Sequence, residues 1–225
     1  MPIDNRSALL NLIATHSLKL GDFTLASGQK SDYYIDCRTT TLHAEGGRLS
    51  GLVLYSLIRE HIPQAVAVGG LTMGADPLVS NTASASAWAL ADYNEILELS
   101  AALELDEEDR TNEDSAPTLI HGFLVRKAEK THGTGRRIEG FLQPGAPVVI
   151  VDDVCTTGGS TITAIEATRD AGMTVAGVLC LVDREQGGRL NIERALAEIP
   201  SDKDIPFRSV FTATDVRKAH IALQK

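Results

Sequence analysis

Two adjacent aspartates, Asp152 and Asp153, follow a run of apolar residues and precede a loop rich in threonine and glycine. The stretch reads VVIVDDVCTTGGST over residues 148–161. Backbone N–H groups at a helix N-terminus attract phosphate, and glycines let the backbone approach it closely. Two carboxylates repel phosphate, but they can accept hydrogen bonds from vicinal hydroxyl groups or act on the water shell of a metal ion. The pattern therefore indicates a site for a ribose 5-phosphate.

A plain alternative exists for the same loop, in which Asp-Asp ends a strand and the glycines only cap the turn. The coincidence of two acids, two threonines, two glycines and a Ser-Thr pair between a strand and a helix favours the phosphate site. The loop is not a Walker loop, because the lysine of that motif is absent, and its glycine spacing differs from the dinucleotide fingerprint.

A second candidate segment, residues 126–137, is strongly basic. It has a net charge of +4 from Arg126, Lys127, Lys130, Arg136 and Arg137 against Glu129, and it also contains His132. Such a field suits an anionic substrate, and a histidine can donate a proton near neutral pH. A basic, solvated surface is the alternative. The polar, glycine-punctuated sequence predicts a mobile lid that closes over substrate and excludes water.

The surrounding sequence predicts elements that can position these residues. Strands and helices alternate from about residue 45, and the strands are almost wholly apolar, which is typical of a mainly parallel sheet covered on both faces. We expect helices at 6–18, 44–61, 74–94, 158–172 and 187–200, and strands at 65–70, 118–126, 146–153, 173–184 and 207–212. We also expect a hairpin or meander at 23–38, a long exposed connection at 127–145, and a C-terminal tail after residue 212.

Composition excludes several classes of protein. The chain has 225 residues and a net charge of −9, so it suits one α/β domain and is a poor candidate for binding nucleic acid. No uncharged apolar run reaches 18 residues, so no membrane span is expected. The three cysteines are far apart and fit neither a disulfide framework nor a metal knuckle, which indicates reduced thiols and a cytoplasmic location.

Four stretches of the sequence resemble motifs of the orotate phosphoribosyltransferases, a branch of the type I phosphoribosyltransferase family. They also occur along the chain in the order in which that family has them. Residues 148–161 resemble the signature that binds phosphoribosyl pyrophosphate (PRPP), and 23–36 resemble the N-terminal segment with its Ser-Gly-basic-Lys-Ser-x-Tyr pattern. Residues 125–140 are similar to the catalytic loop, and LVDREQGG (181–188) is similar to the segment whose arginine recognises orotate. The resemblance covers nearly the whole chain.

The resemblance implies roles for individual residues. For PRPP it implies Arg126, Lys127, Lys130, His132, Asp152, Asp153, Val154, Cys155, Thr156, Thr157, Gly158, Gly159, Ser160, Thr72 and Met73; for orotate it implies Lys30, Tyr33, Tyr34, Thr156 and Arg184; and for catalysis it implies Lys127, Lys130, His132 and Asp153. A guanidinium pairs with a carboxylate in a fork geometry that lysine lacks, which suits Arg184 to orotate. The alternative is a surface arginine paired with Glu185.

Residues 68–77, VGGLTMGADP, resemble the family's pyrophosphate loop, in which we expect the N–H groups of Leu71, Thr72 and Met73 to face the diphosphate. One branch of the family has a lysine where this chain has Met73, and Arg126 and Lys127 are the candidates to replace that charge. The implied cofactor is Mg²⁺, held mainly by PRPP oxygens and water rather than by protein ligands.

The expected organisation is one phosphoribosyltransferase domain over residues 1–225. It has an N-terminal hood (roughly 1–43), an acidic insertion (roughly 95–117) and a mobile catalytic loop (roughly 127–140). Residues 95–114 have a net charge of −8 and are either a solvated insertion or a regulatory surface. The resemblance implies a homodimer with shared active sites.

The implied reaction converts orotate and PRPP to orotidine 5′-monophosphate and pyrophosphate in pyrimidine biosynthesis. A phosphoribosyltransferase for a purine or uracil, a PRPP-sensing regulator and a fragment of a bifunctional synthase remain as alternatives. The residues Lys130, His132 and Arg184 argue against a regulator without turnover. The chain is too short to include a decarboxylase barrel of roughly 250 residues.

Overall fold

The computed structural model describes residues 4–24, 30–103, 116–127, 137–199 and 204–224. The helices are α1 (Asn5–His16), α2 (Arg38–Thr41), α3 (Ala44–His61), α4 (Ala75–Ala102), α5 (Gly159–Asp170), α6 (Gly188–Ala197) and α7 (Ala213–Leu223), and the strands are β1 (Leu18–Thr24), β2 (Lys30–Ile35), β3 (Ala67–Leu71), β4 (His121–Val125), β5 (Ile138–Gly140), β6 (Pro147–Cys155), β7 (Thr174–Asp183) and β8 (Phe207–Thr212).

A six-stranded sheet in the order β5-β4-β3-β6-β7-β8 forms the centre of the fold. All neighbouring strands are parallel except β4 and β5, which pair antiparallel. The predicted α/β fold with a mainly parallel sheet is confirmed. The expected exposed connection through residue 145 is wrong for Ile138–Gly140, which form an edge strand because Ile138 is buried against the sheet.

Side chains of the central strands alternate between two apolar layers. Val149 and Val151 of β6 face the layer that contains α1, α3, α4 and α7, whereas Val148 and Ile150 face the layer that contains α5 and α6. Because successive residues of a strand point to opposite faces, an unbroken apolar run is what a sheet covered on both sides requires. The burial of the sheet on both faces holds its carboxyl ends in fixed positions.

The N-terminal hairpin packs into the first of these layers. β1 and β2 pair antiparallel, with Leu18 opposite Ile35 and Thr24 opposite Lys30. The expected antiparallel pairing is present, but its first strand begins at Leu18 rather than at residue 23, and α1 ends at His16 rather than at residue 18. Tyr33 and Ile35 of β2 are buried in the same apolar cluster as the α1, α3 and α7 side chains. The hairpin therefore lies beside the carboxyl edge of the sheet.

The expected C-terminal tail is wrong, because the residues after β8 form helix α7. Thr212 caps this helix with a reciprocal pair of bonds: its Oγ1 accepts from the N–H of Asp215 (3.1 Å), and Asp215 Oδ2 accepts from the N–H of Thr212 (2.9 Å). Val216 on its inner face is fully buried. The capping box and the buried inner face contribute to holding the helix against α1 and β8.

Further boundaries also differ from those expected. β6 does not end at Asp153 but continues to Cys155, pairing with β7 as far as Asp183. α4 extends past residue 94 to Ala102 and includes the first acidic residues, Glu95 and Glu98. The remaining acidic residues, 104–114, lie outside the described residues, as do residues 128–136 of the expected catalytic loop.

Among the described residues, no helix has both the length and the apolar character needed to cross a bilayer.

Replacement of Gly69 by alanine should destabilise the protein by about 1–3 kcal/mol, because a methyl group there overlaps the buried ring of Phe123 on β4. Urea unfolding measures the change. The double variant Gly69→Ala/Phe123→Leu should lose less stability than the sum of the single variants, since the smaller side chain makes room. Gly159→Ala, where the added carbon meets no atom, is the matched control. Additive losses in the double variant would contradict this packing account.

Candidate functional site

A cavity of about 720 Å³ opens at the carboxyl ends of β3 and β6. This is the edge at which open α/β sheets bind ligands. It brings together residues of the hairpin, the β3–α4 loop, β6, the loop after β6 and the turn after β7. Its lining residues are Thr24, Tyr34, Ile35, Asp36, Arg38, Leu71, Thr72, Met73, Gly74, Lys127, Asp152, Asp153, Val154, Thr156, Thr157, Ser160 and Arg184.

Asp152 lies on the α5 side of the sheet. Its Oδ2 accepts a hydrogen bond from Oγ1 of Thr161 at 2.7 Å, and only 8% of the residue is exposed. Burial raises the pKa of Asp152 to about 7, because desolvation outweighs the stabilising bond from Thr161, and the neighbouring charge of Asp153 adds to the rise. The carboxyl group is thus a poorly solvated acceptor facing the cavity.

Asp153 lies on the opposite, α4 side. Its Oδ1 accepts from the N–H of Val154 at 2.9 Å, and its carboxyl group occupies the space that a side chain at Gly74 would fill. Burial raises the pKa of Asp153, although the Val154 N–H and the guanidinium of Arg38 oppose that rise. Two acids adjacent in sequence therefore reach the cavity from two different faces of the sheet.

The loop after β6 ends at Gly158, which adopts the left-handed conformation with φ of 82° and immediately precedes α5. Within the described residues, no side chain caps this helix, so the amides of its first turn face the cavity edge without a capping partner. The loop is supported from behind: Asn191 Nδ2 donates to the carbonyl of Thr157 at 3.0 Å, and Gly188 leaves room for the Cys155 thiol. This is the local geometry of an anion site.

Residues of this loop differ in their access to the cavity. Val154, Thr156, Thr157 and Ser160 line it, whereas Cys155 is buried beneath the loop. The N–H of Arg184 donates to the carbonyl of Cys155 at 2.8 Å, which ties the loop to the turn after β7. Cys155 thus lies in the support of the loop rather than on its surface.

The β3–α4 loop contributes Thr72 and Met73, which are joined by a cis peptide bond and both line the cavity. The side chain of Met73 is exposed. The expectation that the Thr72 N–H faces a ligand is wrong, because that N–H donates to the carbonyl of Val125 at 2.9 Å. The hydroxyl of Thr72 is the group of this residue that remains for a ligand.

Arg184 is 5% exposed, lines the cavity and lies over the ring of Tyr33, with Cζ 4.8 Å from the ring centroid. The alternative of a surface arginine paired with Glu185 is wrong, since Arg184 is buried and the Glu185 carboxylate accepts bonds from Thr214. Tyr33 itself is buried below Arg184, and Tyr34 lines the cavity. Lys30 is not itself a lining residue, but its Nζ donates to Oγ1 of Thr24, which lines the cavity, at 2.9 Å.

The basic segment is described only at its two ends. Lys127 lines the cavity, whereas Arg126 is turned toward Glu139, with a 3.7 Å separation between Nη1 and Oε1. The N–H of Arg126 bonds to the carbonyl of Arg137. Lys130 and His132 lie outside the described residues.

Sequence reasoning missed Asp36 and Arg38, which line the cavity at the end of β2. Arg38 donates Nε and Nη2 to the two oxygens of Asp36, both at 2.8 Å. This pair holds the pKa of the Asp36 carboxyl below its usual value and keeps a guanidinium near Asp153. The available signal was the charged pair Asp-Cys-Arg immediately after an apolar strand. Among the described residues, no cluster of three or more histidine, cysteine or acidic side chains is arranged to hold a metal ion.

Comparison with known proteins identifies the family of this chain. The model of the phosphoribosyl transferase domain matches residues 107–203. The orotate phosphoribosyltransferase of Aquifex aeolicus (strain VF5) is 39% identical over 214 residues, which cover 94% of this chain and 97% of the relative. The crystal structure of Mycobacterium tuberculosis H37Rv orotate phosphoribosyltransferase in complex with Fe(III) dicitrate has a TM-score of 0.66, 31% identity, and coverage of 95% of this chain and 99% of that one.

A second crystal structure of the M. tuberculosis H37Rv enzyme, in complex with PRPP, is 29% identical with a TM-score of 0.64 and covers 95% of this chain and 99% of that one. The similarity extends across nearly the full length of both chains. The chain belongs to the orotate phosphoribosyltransferase family.

Proposed function

We propose that this protein transfers the 5-phosphoribosyl group of PRPP to orotate, producing orotidine 5′-monophosphate and pyrophosphate. The observation that supports this most strongly is that three features meet at one cavity. They are an uncapped helix N-terminus of the kind that binds phosphate, two carboxylates and a buried arginine. These are the groups that a ribose phosphate and an anionic, planar base require.

The 5-phosphate binds the loop from Thr156 to Ser160. The first amides of α5 and the hydroxyl groups of the loop donate to its oxygens, and the helix dipole favours its negative charge. Asp152 and Asp153 accept hydrogen bonds from the ribose hydroxyl groups. Because the carboxylates lie upstream in β6, they reach the ring rather than the phosphate.

Transfer breaks the bond between C1 of the ribose and the pyrophosphate oxygen and forms a bond from C1 to a ring nitrogen of orotate, whose proton is released to the pyrophosphate or to solvent. Negative charge grows on the leaving group, and positive character grows on the ribose ring. Lys127 provides a cation for the leaving group, and the carboxylate of Asp153 stabilises the positive ring. Asp152 and Asp153 would face the water shell of a Mg²⁺ ion bound with PRPP, which would supply positive charge against the pyrophosphate, and their carboxylate oxygens are of the type that this ion prefers.

Arg184 binds orotate. It is the buried guanidinium of the cavity, and within the described part of the chain its Nε has no hydrogen-bond partner. A buried donor without a partner has an unpaid desolvation cost, which a carboxylate or carbonyl of the base would offset. Tyr34 and Thr156 line the same cavity and complete the pocket for the ring; Lys30 and Tyr33 act from its margin.

The remaining assignments rest on the family resemblance. Lys130 and His132 belong to a lid that closes over the substrates and supplies charge and a proton donor to the leaving group. The protein acts as a cytoplasmic homodimer with shared active sites. It is organised as one domain with the hood, the acidic insertion and the catalytic loop given above.

The direct test is an assay with purified protein, PRPP, Mg²⁺ and orotate, following the loss of orotate absorbance. We expect orotate to be consumed with release of pyrophosphate, and uracil and hypoxanthine to be consumed at least about a hundredfold more slowly, because neither has the ring carboxylate. Preference for uracil or hypoxanthine, or absence of turnover with any base, would overturn the proposed function.

Arg184→Lys should raise the KM for orotate about tenfold or more while the KM for PRPP changes less than about twofold, because lysine keeps the charge but loses the fork. Steady-state kinetics with each substrate varied in turn measures both constants. Arg208→Lys, an exposed change on β8, is the control. Equal increases in both KM values would contradict the assignment of Arg184 to orotate.

The buried carboxylate of Asp152 destabilises the ligand-free protein when it is ionised. The pKa of Asp152 is about 7 in the folded state and 3.8 in the reference state. At pH values between these two, the folded protein therefore binds more protons than the unfolded protein does. Its free energy of unfolding therefore falls as pH rises from about 4 to 7. Asp152→Asn removes this titration. The Tm of the variant minus the Tm of wild type should therefore be roughly 5 °C greater at pH 8 than at pH 5.

Asp36→Asn is the matched control for this comparison. The pKa of Asp36 is lowered by Arg38, so its contribution to stability is complete above its reference value and is lost only as pH falls through its folded pKa. Its Tm difference from wild type should therefore stay constant between pH 5 and pH 8. An Asp152→Asn difference that is equally constant would show that Asp152 is already ionised at low pH.

A further inference from the structure

Tyr33 contacts two guanidinium groups, although only one of them lies at the cavity. The Cζ atom of Arg184 is 4.8 Å from the ring centroid, and that of Arg217, on helix α7, is 5.2 Å from it. Each contact is a cation–π interaction, in which the ring attracts the cation. The C-terminal helix thus shares an aromatic ring with the arginine that faces the cavity.

The side chain of Arg184 is positioned by residues of β2. Its Nη2 lies 3.4 Å from Oγ of Ser31, and its plane lies over Tyr33. Its Nε has no hydrogen-bond partner within the described ranges. The position of this guanidinium therefore depends on where β2 holds Ser31 and Tyr33.

Arg217 fixes that part of β2. Its Nη1 and Nη2 donate to the two oxygens of Asp32 at 3.2 and 2.9 Å, and Asp32 lies between Ser31 and Tyr33 in the chain. A bidentate pair fixes both the distance and the orientation of the strand relative to α7. The side chains of Arg217 and Asp32 are 41% and 66% exposed, so the pair itself contributes little to global stability.

The same helix also fixes the turn that contains Arg184. The carboxylate of Glu185, the next residue, accepts from the N–H of Thr214 at 3.0 Å and from its Oγ1 at 2.6 Å. Glu185 has a φ of 59°, and its N–H donates to Oδ1 of Asp183 at 2.8 Å. α7 is thus bonded to the side chain of Glu185, the residue after Arg184, and to the side chain of Asp32 in the strand on which the Arg184 guanidinium rests.

We infer that α7 is a positioning element for the base-binding arginine, with Arg217 acting through Asp32 and Tyr33, and Thr214 acting through Glu185. The inference rests on the proposed function, in which Arg184 binds orotate. Arg217 does not line the cavity. Its effect is to keep the Arg184 guanidinium in one orientation before orotate arrives, which reduces the ordering cost of binding.

Arg217→Ala tests this inference in the full-length protein. We expect the KM for orotate to rise about fivefold to tenfold, the KM for PRPP to change less than about twofold, and the Tm to fall by no more than about 2 °C. Asp32→Asn breaks the same pair from the other side and should give the same pattern. The double variant should show less than the product of the two single effects, because both remove one interaction.

Arg189→Ala is the matched control. Arg189 also forms an exposed ion pair, with Glu193 at 2.8 Å, and also lies over a ring, with Cζ 5.6 Å from the centroid of Phe207, but it is not among the residues that line the cavity. It should leave both KM values unchanged. Arg217→Lys, which keeps the cation but loses the two-point contact, should restore only part of the affinity for orotate.

Wild-type turnover with orotate separates the two hypotheses. If wild type uses orotate and Arg217→Ala leaves its KM unchanged, raises both KM values equally, or matches Arg189→Ala, the positioning role of α7 is wrong and the proposed function stands. If wild type does not use orotate, the proposed function is wrong, and this inference falls with it.

Discussion

Adjacent residues of a β-strand direct their side chains to opposite faces of a sheet, and the site depends on this constraint. Because β6 continues to Cys155, Asp152 and Asp153 diverge although they are neighbours in the chain. Asp152 meets the hydroxyl of Thr161 in the first turn of α5. Asp153 meets the space left by Gly74 at the start of α4. The start of each helix therefore needs one particular residue. α5 needs a hydroxyl group, which Thr161 provides, and α4 needs a residue without a side chain, which is Gly74.

This arrangement also solves an electrostatic problem. Two carboxylates and a bound phosphate would repel one another if they shared one surface. Here the helix N-terminus after Gly158 offers amides to the anion, whereas the carboxylates lie upstream in β6 and are only partly balanced, Asp152 by Thr161 and Asp153 by Val154 and Arg38. Burial keeps the pKa values of both acids high, so the ligand-free site is less stable than a neutral one would be. Such a cost is typical of a surface built to receive a ligand.

Much of the sheet could be predicted from sequence, because a strand buried on both faces has a near-continuous apolar run and the glycines mark its ends. The acidic pair and the loop that follows it could also be predicted, because their residue types are unusual at the end of a buried strand. Helix α7 was missed, although Thr212 and Asp215 have the spacing of a capping box, because its apolar stripe is short and depends on packing against α1. The role of Arg38 and the orientation of Arg126 could not be predicted, because tertiary contacts decide which partner a charged side chain finds. Arg38 pairs with Asp36, and Arg126 is turned toward Glu139.

The most direct test is a crystal structure of the protein with PRPP and Mg²⁺. The account predicts that the carboxylates of Asp152 and Asp153 accept hydrogen bonds from the ribose hydroxyl groups, while the 5-phosphate lies against the amides that follow Gly158. A complex in which the sugar binds elsewhere, or in which the phosphate lies away from the N-terminus of α5, would contradict it.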